Sequence, residues 1–351
     1  MPAFEKNNIA IAFAANDFFV PYMATMIYSV VVNGSEGNNY DIVILTSDIS
    51  AENQQTLAKM INPFANVSLR VVNVEEYVAG YKFFTANKEN FSQEAYYRLL
   101  IPEVMSEYEK VLYFDGDMVA LVDVAELYQT DLRDCLLASS RDLCGLMGYY
   151  NPLEKRKAYR DNVLKLKRPD DYFITGMLLF NITAFRQAYS TDFLLEYAAS
   201  RDWLQHDQDI LNVLCQGRVA YLDLKWNHIF DCYGERIKNV IVWDPVPLYE
   251  AYMEAKKDPY IIHYAGFCKP WDEPSEEFGE VFWEYARRTP YYEVLVQRLA
   301  KHMADNAVHD NHKKHHISLK SRIIYFFLPD GSARRDKARE MWYKVFGRPK
   351  K

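Results

Sequence analysis

The stretch 111–119 reads VLYFDGDMV: an apolar run enters Asp115-Gly116-Asp117, and the apolar character then resumes. In an extended chain, residues i and i+2 point to the same side. Asp115 and Asp117 would therefore present two carboxylates to one place, and Gly116 between them leaves room for a ligand to approach the backbone. Two like charges this close repel, so both stay ionised only beside something positive. Oxygen donors in this pattern suit Mg²⁺ or Mn²⁺. The same pair would also suit a solvated turn after a strand.

The elements around this pair must hold it in place. IAIAFAA (9–15) reads as a buried first strand ending in Asn16-Asp17, and PYMATMIYSVVVN (21–33) as a helix with Pro21 near its start. YDIVILTSDIS (40–50) is a second strand, AENQQTLAKMIN (51–62) a helix with Ser50 as N-cap, and VSLRVVNV (67–74) a third strand. QEAYYRLLIPEVM (93–105) reads as a helix ending around Pro102, followed by KVLYFDGDMV as a fourth strand. Strands alternating with helices predict an α/β fold with a mostly parallel sheet. In such sheets ligands bind at the carboxyl ends of strands, where Asn16-Asp17, Ser47-Asp48 and Asp115-Gly116-Asp117 all fall. Neither GxGxxG after the first strand nor GxxxxGK[ST] occurs, which argues against a dinucleotide dehydrogenase or a P-loop NTPase.

The second half is more irregular. Residues 155–172 form a charged helix or loop, ITGMLLFN (174–181) a strand, and 184–202 one or two helices. HDQDILNVLCQG (206–217) is a short helix with Gly217 at its end, VAYLDLKWNHI (219–229) a strand, and PYIIHYAGFCKPW (259–271) a strand entering a loop.

The 351 residues are half hydrophobic and carry 27 Tyr. Tyrosine-rich clefts suit sugars, although Tyr also packs ordinary cores. The five cysteines form no CxxC pair and read as reduced, mostly buried thiols. Neither a secretory signal nor an apolar run of membrane-spanning length is visible, which suggests a cytoplasmic protein. The net charge of −7 conceals an asymmetry: residues 301–351 hold 13 Lys+Arg against 5 Asp+Glu. In SARRDKAREMWYKVFG, Ala338, Met341, Trp342 and Val345 share one helical face, with Ser332 and Gly347 as possible caps. Basic residues beside aromatics read as an interfacial anchor for an anionic membrane surface through residues 313–351, with a helix packed on the acidic body as the alternative. The chain carries no recognised nucleic-acid-binding module, so a nucleic acid is not an expected partner.

Taken together and in order, KVLYFDGD, the preceding YYRLL with Arg98, HDQDILN and HYAGFCKPW resemble family 8 glycosyltransferases. These are retaining enzymes of the GT-A fold that use nucleotide sugars; the group includes the bacterial lipopolysaccharide galactosyl- and glucosyltransferases and glycogenin. The resemblance runs from about residue 8 to about residue 275. It implies a catalytic domain over 1–275 and a C-terminal helical extension over 276–351. It further implies Asp115, Asp117 and His263 as ligands to Mn²⁺ (or Mg²⁺), with Gly266 and Lys269 in a loop closing over the diphosphate of a UDP-sugar. Arg98 matches a basic residue reaching the donor, with an ion pair on a helix surface as its ordinary alternative. Ala14, Ala15 and Asp17 match the strand end that holds uracil and ribose. Asp142 matches an acid near the donor sugar, and Asp207 and Gln208 match the residues facing its reactive carbon.

The implied reaction moves glucose or galactose to a glycan or lipid-linked glycan acceptor, on the inner face of the cell membrane. Retention by double displacement would need a carboxylate nucleophile. Gln208 is a poor one and Asp207 can serve to position the sugar, which favours front-side attack. Two departures stand out: AANDFF where the family often reads AADDNY, and FITGM where FNAGV or FNSGV is usual. The first places Asn16 and Phe18 near the base. The second places Ile174 and Thr175 where donor or acceptor contacts are made. A self-glucosylating protein like glycogenin, or a non-catalytic nucleotide-sugar sensor, are the alternatives.

Overall fold

The structure is a computed structural model and describes residues 1–84, 93–143, 156–266, 268–315 and Lys337. The chain divides into two compact units, Met1–Gln297 and Arg298–Lys351. The amphipathic segment Ser332–Gly347 lies outside the described residues, Lys337 excepted. No helix among the described residues is long and apolar enough to cross a membrane.

Among the described residues, ten strands build two sheets in the first unit: β1 Asn8–Ala14, β2 Asn39–Thr46, β3 Val67–Asn73, β4 Lys110–Phe114, β5 Met118–Ala120, β6 Leu137–Ser139, β7 Met177–Asn181, β8 Val219–Tyr221, β9 His228–Ile229 and β10 Ile261–His263. The larger sheet has the order β3-β2-β1-β4-β7-β6-β8 and the smaller β5-β10-β9. β1 pairs parallel with β2 and β4, and β2 with β3, so the expected parallel sheet is present. β7 is antiparallel to both β4 and β6.

Alternation along β1 explains why it is apolar throughout. Ala10 and Ala12 join one core cluster, while Ile9, Ile11 and Phe13 join another. The sheet is thus covered on both faces, as parallel sheets require. The helix α1, Val20–Asn33, carries Pro21 in its first turn, where a missing N–H costs nothing. α2, Ala51–Ile61, starts at Ser50, whose hydroxyl accepts the Asn53 amide.

Three expectations need correction. The segment 110–119 is not one strand: β4 ends at Phe114 in the large sheet, and β5 begins at Met118 in the small one, with Asp115-Gly116-Asp117 as the crossing between them. An apolar run on both sides of Asp115-Gly116-Asp117 looks continuous in sequence, but its two halves belong to different sheets. The run 219–229 splits in the same way, into β8 and β9 separated by a 3₁₀ turn over Leu224–Asn227. The segment 93–105 is a 3₁₀ helix over Gln93–Leu100 followed by a short α-helix, Ile101–Val104, that Pro102 opens rather than ends.

Candidate metal and nucleotide-sugar site

The crossing between the sheets fixes the two aspartates from opposite sides. The Asp115 amide donates to Gly176 O (2.7 Å), just ahead of β7, which ties it to the large sheet. Asp117 O accepts from the Tyr264 amide (2.9 Å), just after β10, which ties it to the small sheet. β10 lies antiparallel to β5 with His263 opposite Met118, so the imidazole arrives beside Asp117.

Ligand atoms of Asp115, Asp117 and His263 lie within 4.8 Å of one another. His263 Nε2 is 3.3 Å from Asp117 Oδ1 and 4.0 Å from Asp115 Oδ2. The imidazole is buried, and its Nδ1 meets Asn227 Oδ1 at 2.9 Å. The Asn227 oxygen is placed to accept from Nδ1, which leaves Nε2 as the ring atom facing the two carboxylates. Two carboxylates and an imidazole so oriented fit a divalent ion that takes mixed oxygen and nitrogen donors. Asn227 is a positioning residue that sequence reasoning missed, although KWN sits in plain view before His228.

Lys269 is on the same carboxylate. Its Nζ lies 2.6 Å from Asp117 Oδ2 and also donates to Tyr264 O (2.7 Å). Burial pushes the Asp117 carboxyl up, but Lys269 and His263 outweigh it and hold the group below the usual carboxylate range. Gly266 has φ of +110°, a conformation side chains resist, so the backbone at that position calls for a glycine.

Arg98 is not on a helix surface. It is buried, with Nη2 2.9 Å from Asp115 Oδ1 and Nε 3.1 Å from Asp207 Oδ2, and it also donates to Thr175 O. Tyr113 gives its hydroxyl to the same Asp115 oxygen (2.8 Å). Asp207 sits at the start of the helix Asp207–Leu214, which follows His206 at a positive φ of 52°. Burial raises the Asp207 carboxyl to about 6; Asp115 adds to this, and Arg98 and Thr175 oppose it without winning. Gln208 is held at both ends of its amide: Oε1 accepts the Thr175 amide (3.2 Å), and Nε2 donates to Asp142 Oδ2 (2.7 Å). Asp115, Arg98, Asp207, Thr175, Gln208 and Asp142 thus form one continuous polar chain.

The remaining residues are placed less directly. Ala14 ends β1 beside β2, and the Ala15 amide donates to Leu45 O. Asp17 accepts from the Ser50 amide and from Asn53 Nδ2, both at 2.7 Å, so it caps the start of α2 as well as lying at the strand end. Phe18, where the family is polar, is 64% exposed. At Gly116 a Cβ would meet Phe19, just ahead of α1, and Met23 within it, so packing also calls for a glycine there. Gly176, also missed, is tightly enclosed by the site: a Cβ there would meet His263 Cε1 and stand 2.9 Å from Asp115 Oδ2. Ile174 turns its side chain into the interior.

Comparison with known proteins agrees with this geometry. The family model "Glycosyl transferase family 8" matches residues 10–275. Glycosyltransferase GlyF of Streptococcus pneumoniae is 27% identical over 297 residues, which is 82% of this chain and 64% of that protein. The lipopolysaccharide 1,2-glucosyltransferase of Escherichia coli K12 is 23% identical over 59% of this chain and 55% of its own length. This chain therefore spans less than two thirds of either relative. Among solved structures, galactosyltransferase LgtC in complex with donor and acceptor sugar analogs is 26% identical, with a TM-score of 0.63 over 80% of this chain and 96% of that one. The fold is that of the GT-A glycosyltransferases. From a match over three quarters of its length, the chain belongs to glycosyl transferase family 8.

Proposed function

We propose that this protein is a retaining hexosyltransferase that moves glucose or galactose from a UDP-sugar to a hydroxyl of a lipopolysaccharide-like or other cell-surface glycan, in a Mn²⁺-dependent reaction. The observation that carries the reading is the meeting of Asp115, Asp117 and His263, from two sheets, with the Lys269 ammonium on the same carboxylate. A divalent ion held by those three residues supplies Lewis-acid stabilisation of the departing diphosphate.

The chain's own groups divide the rest of the work. Lys269 places a second positive charge where the leaving group's charge develops. Gly266 gives its loop the turn that brings Lys269 to the diphosphate. Ala14, Ala15 and Asp17 line the strand end for uracil and ribose. Arg98, locked between Asp115 and Asp207, keeps both carboxylates oriented toward the donor. Asp207 is already engaged by Arg98 and Thr175, which suits a residue that positions the sugar better than one that attacks it. Gln208 and Asp142 offer polar atoms beside it. We therefore favour front-side attack, in which the departing phosphate oxygen takes the acceptor's proton. A glycosyl-Asp207 adduct trapped with a slow donor would overturn that step.

The catalytic residues fall within 1–275. We propose residues 276–351 as an extension whose basic segment, 313–351, holds the enzyme to an anionic membrane surface on the cytoplasmic side. Failure to sediment with anionic liposomes at physiological salt would sink that part. The transferase itself is tested by incubation with UDP-glucose or UDP-galactose, with Mn²⁺ or EDTA, and assay of released UDP. Release that requires Mn²⁺ and is lost in Asp117→Ala supports the reading. No release from either donor, together with no binding of UDP and Mn²⁺ in calorimetry, rejects it.

A further inference from the structure

Two successive backbone carbonyls just after β10 are held by cations. Tyr264 O accepts from Lys269 Nζ (2.7 Å), and Ala265 O accepts from Arg236 Nη2 (2.8 Å). Arg236 also donates through Nε to Phe230 O (2.7 Å), directly after β9, and its guanidinium stands 6.0 Å from the centre of the Phe230 ring. β9 and β10 run parallel, and beyond them the Phe230 amide donates to His263 O (3.3 Å). Arg236 thus joins the two segments that leave these strands. A guanidinium presents its donors in a rigid fork, which lets one side chain span two backbone oxygens.

The chain builds this reach locally. Tyr233 and Gly234 take positive φ of 54° and 66°, and the short helix Glu235–Asn239 that follows carries Arg236 back toward Phe230. The turn is pinned twice: the Tyr233 amide donates to Glu276 Oε2 (2.8 Å), and Asp231 Oδ1 accepts from the Ile237 amide (3.1 Å). The guanidinium ends beside Gly266, where an added Cβ would stand 3.2 Å from Arg236 Nη2. Ala265 lies in sequence between His263, which faces Asp117, and Lys269, which pairs with the same carboxylate at 2.6 Å. The backbone that Arg236 grips is therefore the stretch linking those two side chains.

We propose that Arg236 is a positioning residue for Lys269: by fixing Ala265 it sets the start of the loop 266–269, and so the place from which the lysine meets the diphosphate of the nucleotide. The inference rests on the transferase reading above and deepens it. Nε and Nη2 are committed to backbone oxygens, so the guanidinium braces the loop. Lys269 hangs from the neighbouring carbonyl, Tyr264 O, so a shift at Ala265 is passed to it directly.

The test is calorimetry of UDP and of Mn²⁺ on Arg236→Met, Arg236→Lys, Lys269→Met and the double variant, all in the full chain. Arg236→Met should bind UDP in the presence of Mn²⁺ about tenfold more weakly, the size of coupling expected between neighbouring residues. Mn²⁺ alone should bind no more weakly than to the unaltered protein, because Asp115, Asp117 and His263 are untouched, whereas a general loosening of the fold would weaken both. Arg236→Lys, which keeps the charge without the fork, should recover only part of the loss. In the Lys269→Met background the Arg236 substitution should change UDP affinity by no more than about twofold, because the residue it acts through is gone. The proposal is overturned if Arg236→Met leaves UDP binding unchanged, or if Mn²⁺ binding falls with it. It is overturned too if Arg236→Lys binds UDP as well as the unaltered protein, since charge alone would then suffice. Losses that multiply in the double variant would show that Arg236 meets the nucleotide itself, and would also overturn it. If Arg236→Met fails to fold, Arg236→Lys with and without Lys269→Met completes the same cycle. Absence of Mn²⁺-dependent UDP binding in the unaltered protein would instead reject the parent reading, so the two failures are distinguishable.

Discussion

Lys269 Nζ lies 2.6 Å from Asp117 Oδ2, so a lysine assigned to the diphosphate occupies an oxygen assigned to the metal. On the proposed reading the two cations would compete for one carboxylate in the free protein, and nucleotide would give the lysine somewhere else to go. Lys269→Met should therefore bind Mn²⁺ alone more tightly than the unaltered protein while binding UDP more weakly. Titration of Mn²⁺ with and without UDP reads both. Equal Mn²⁺ affinity in the two proteins would show that Lys269 does not compete.

Asn227 holds the far nitrogen of His263 at 2.9 Å. Groups that orient a metal-binding imidazole typically change affinity by about 10–100-fold when removed. Asn227→Leu should weaken Mn²⁺ binding by that order and leave binding of metal-free UDP unaltered. A change in UDP binding without metal would show that Asn227 acts on the nucleotide pocket instead.

Gly176→Ala tests how tightly the site is packed. The added methyl would meet His263 Cε1 and crowd Asp115 Oδ2 at 2.9 Å. Overpacking of this kind costs about 1–3 kcal/mol, so thermal unfolding should shift down and Mn²⁺ binding should fall with it. Retained metal affinity would mean that the imidazole can move aside freely.

Arg98→Met removes a guanidinium shared by Asp115 and Asp207. Breaking a buried pair by deleting one partner costs about 3–5 kcal/mol, because charge is left uncompensated. The variant should be destabilised on that scale at neutral pH. Addition of Asp207→Asn should restore part of the loss. No rescue by the second substitution would argue against a shared electrostatic role.

Asp244 gives a pH signature. Its carboxyl is raised to about 7 in the folded protein, above the unfolded value of about 3.9. A group raised on folding contributes stability that is full below the unfolded value and is lost as pH rises through the folded one. Stability of the unaltered protein should thus fall between about pH 4 and pH 7 by an amount that Asp244→Asn abolishes. Chemical unfolding at several pH values measures the difference. Parallel pH curves for the two proteins would contradict it.

The residues that could be read in advance were those whose chemistry is carried by local spacing. Asp115 and Asp117 announce themselves as a pair, and alternation of apolar runs with helical segments shows the parallel half of the sheet. What could not be read depends on contacts between distant segments. Asn227 acquires meaning only because β9 lies beside β10, 34 residues later in the pairing of His228 with Ile262. Gly176 is an ordinary glycine until His263 is packed against it. Asp244 sits in the stretch between the strand expected to end at 229 and the one expected to begin at 259, where no periodicity marked an element, yet a helix forms over Val246–Lys257. Arg98 was expected on a helix surface or at the donor, and burial between two carboxylates could not be seen from YYRLL alone.

The chain passes from the seven-stranded sheet to the three-stranded one at Gly116, with Asp115 tied to one and Asp117 and His263 belonging to the other. A ligand held by all three is therefore a cross-link between two hydrogen-bonded ladders, added to the crossings of the chain and the side-chain packing that already join them. Amide exchange in β4 and in β10 should slow together when such a cross-link forms, even though the two strands share no backbone pairing. Occupancy of the site would then be legible in the breathing of the scaffold, far from any sugar.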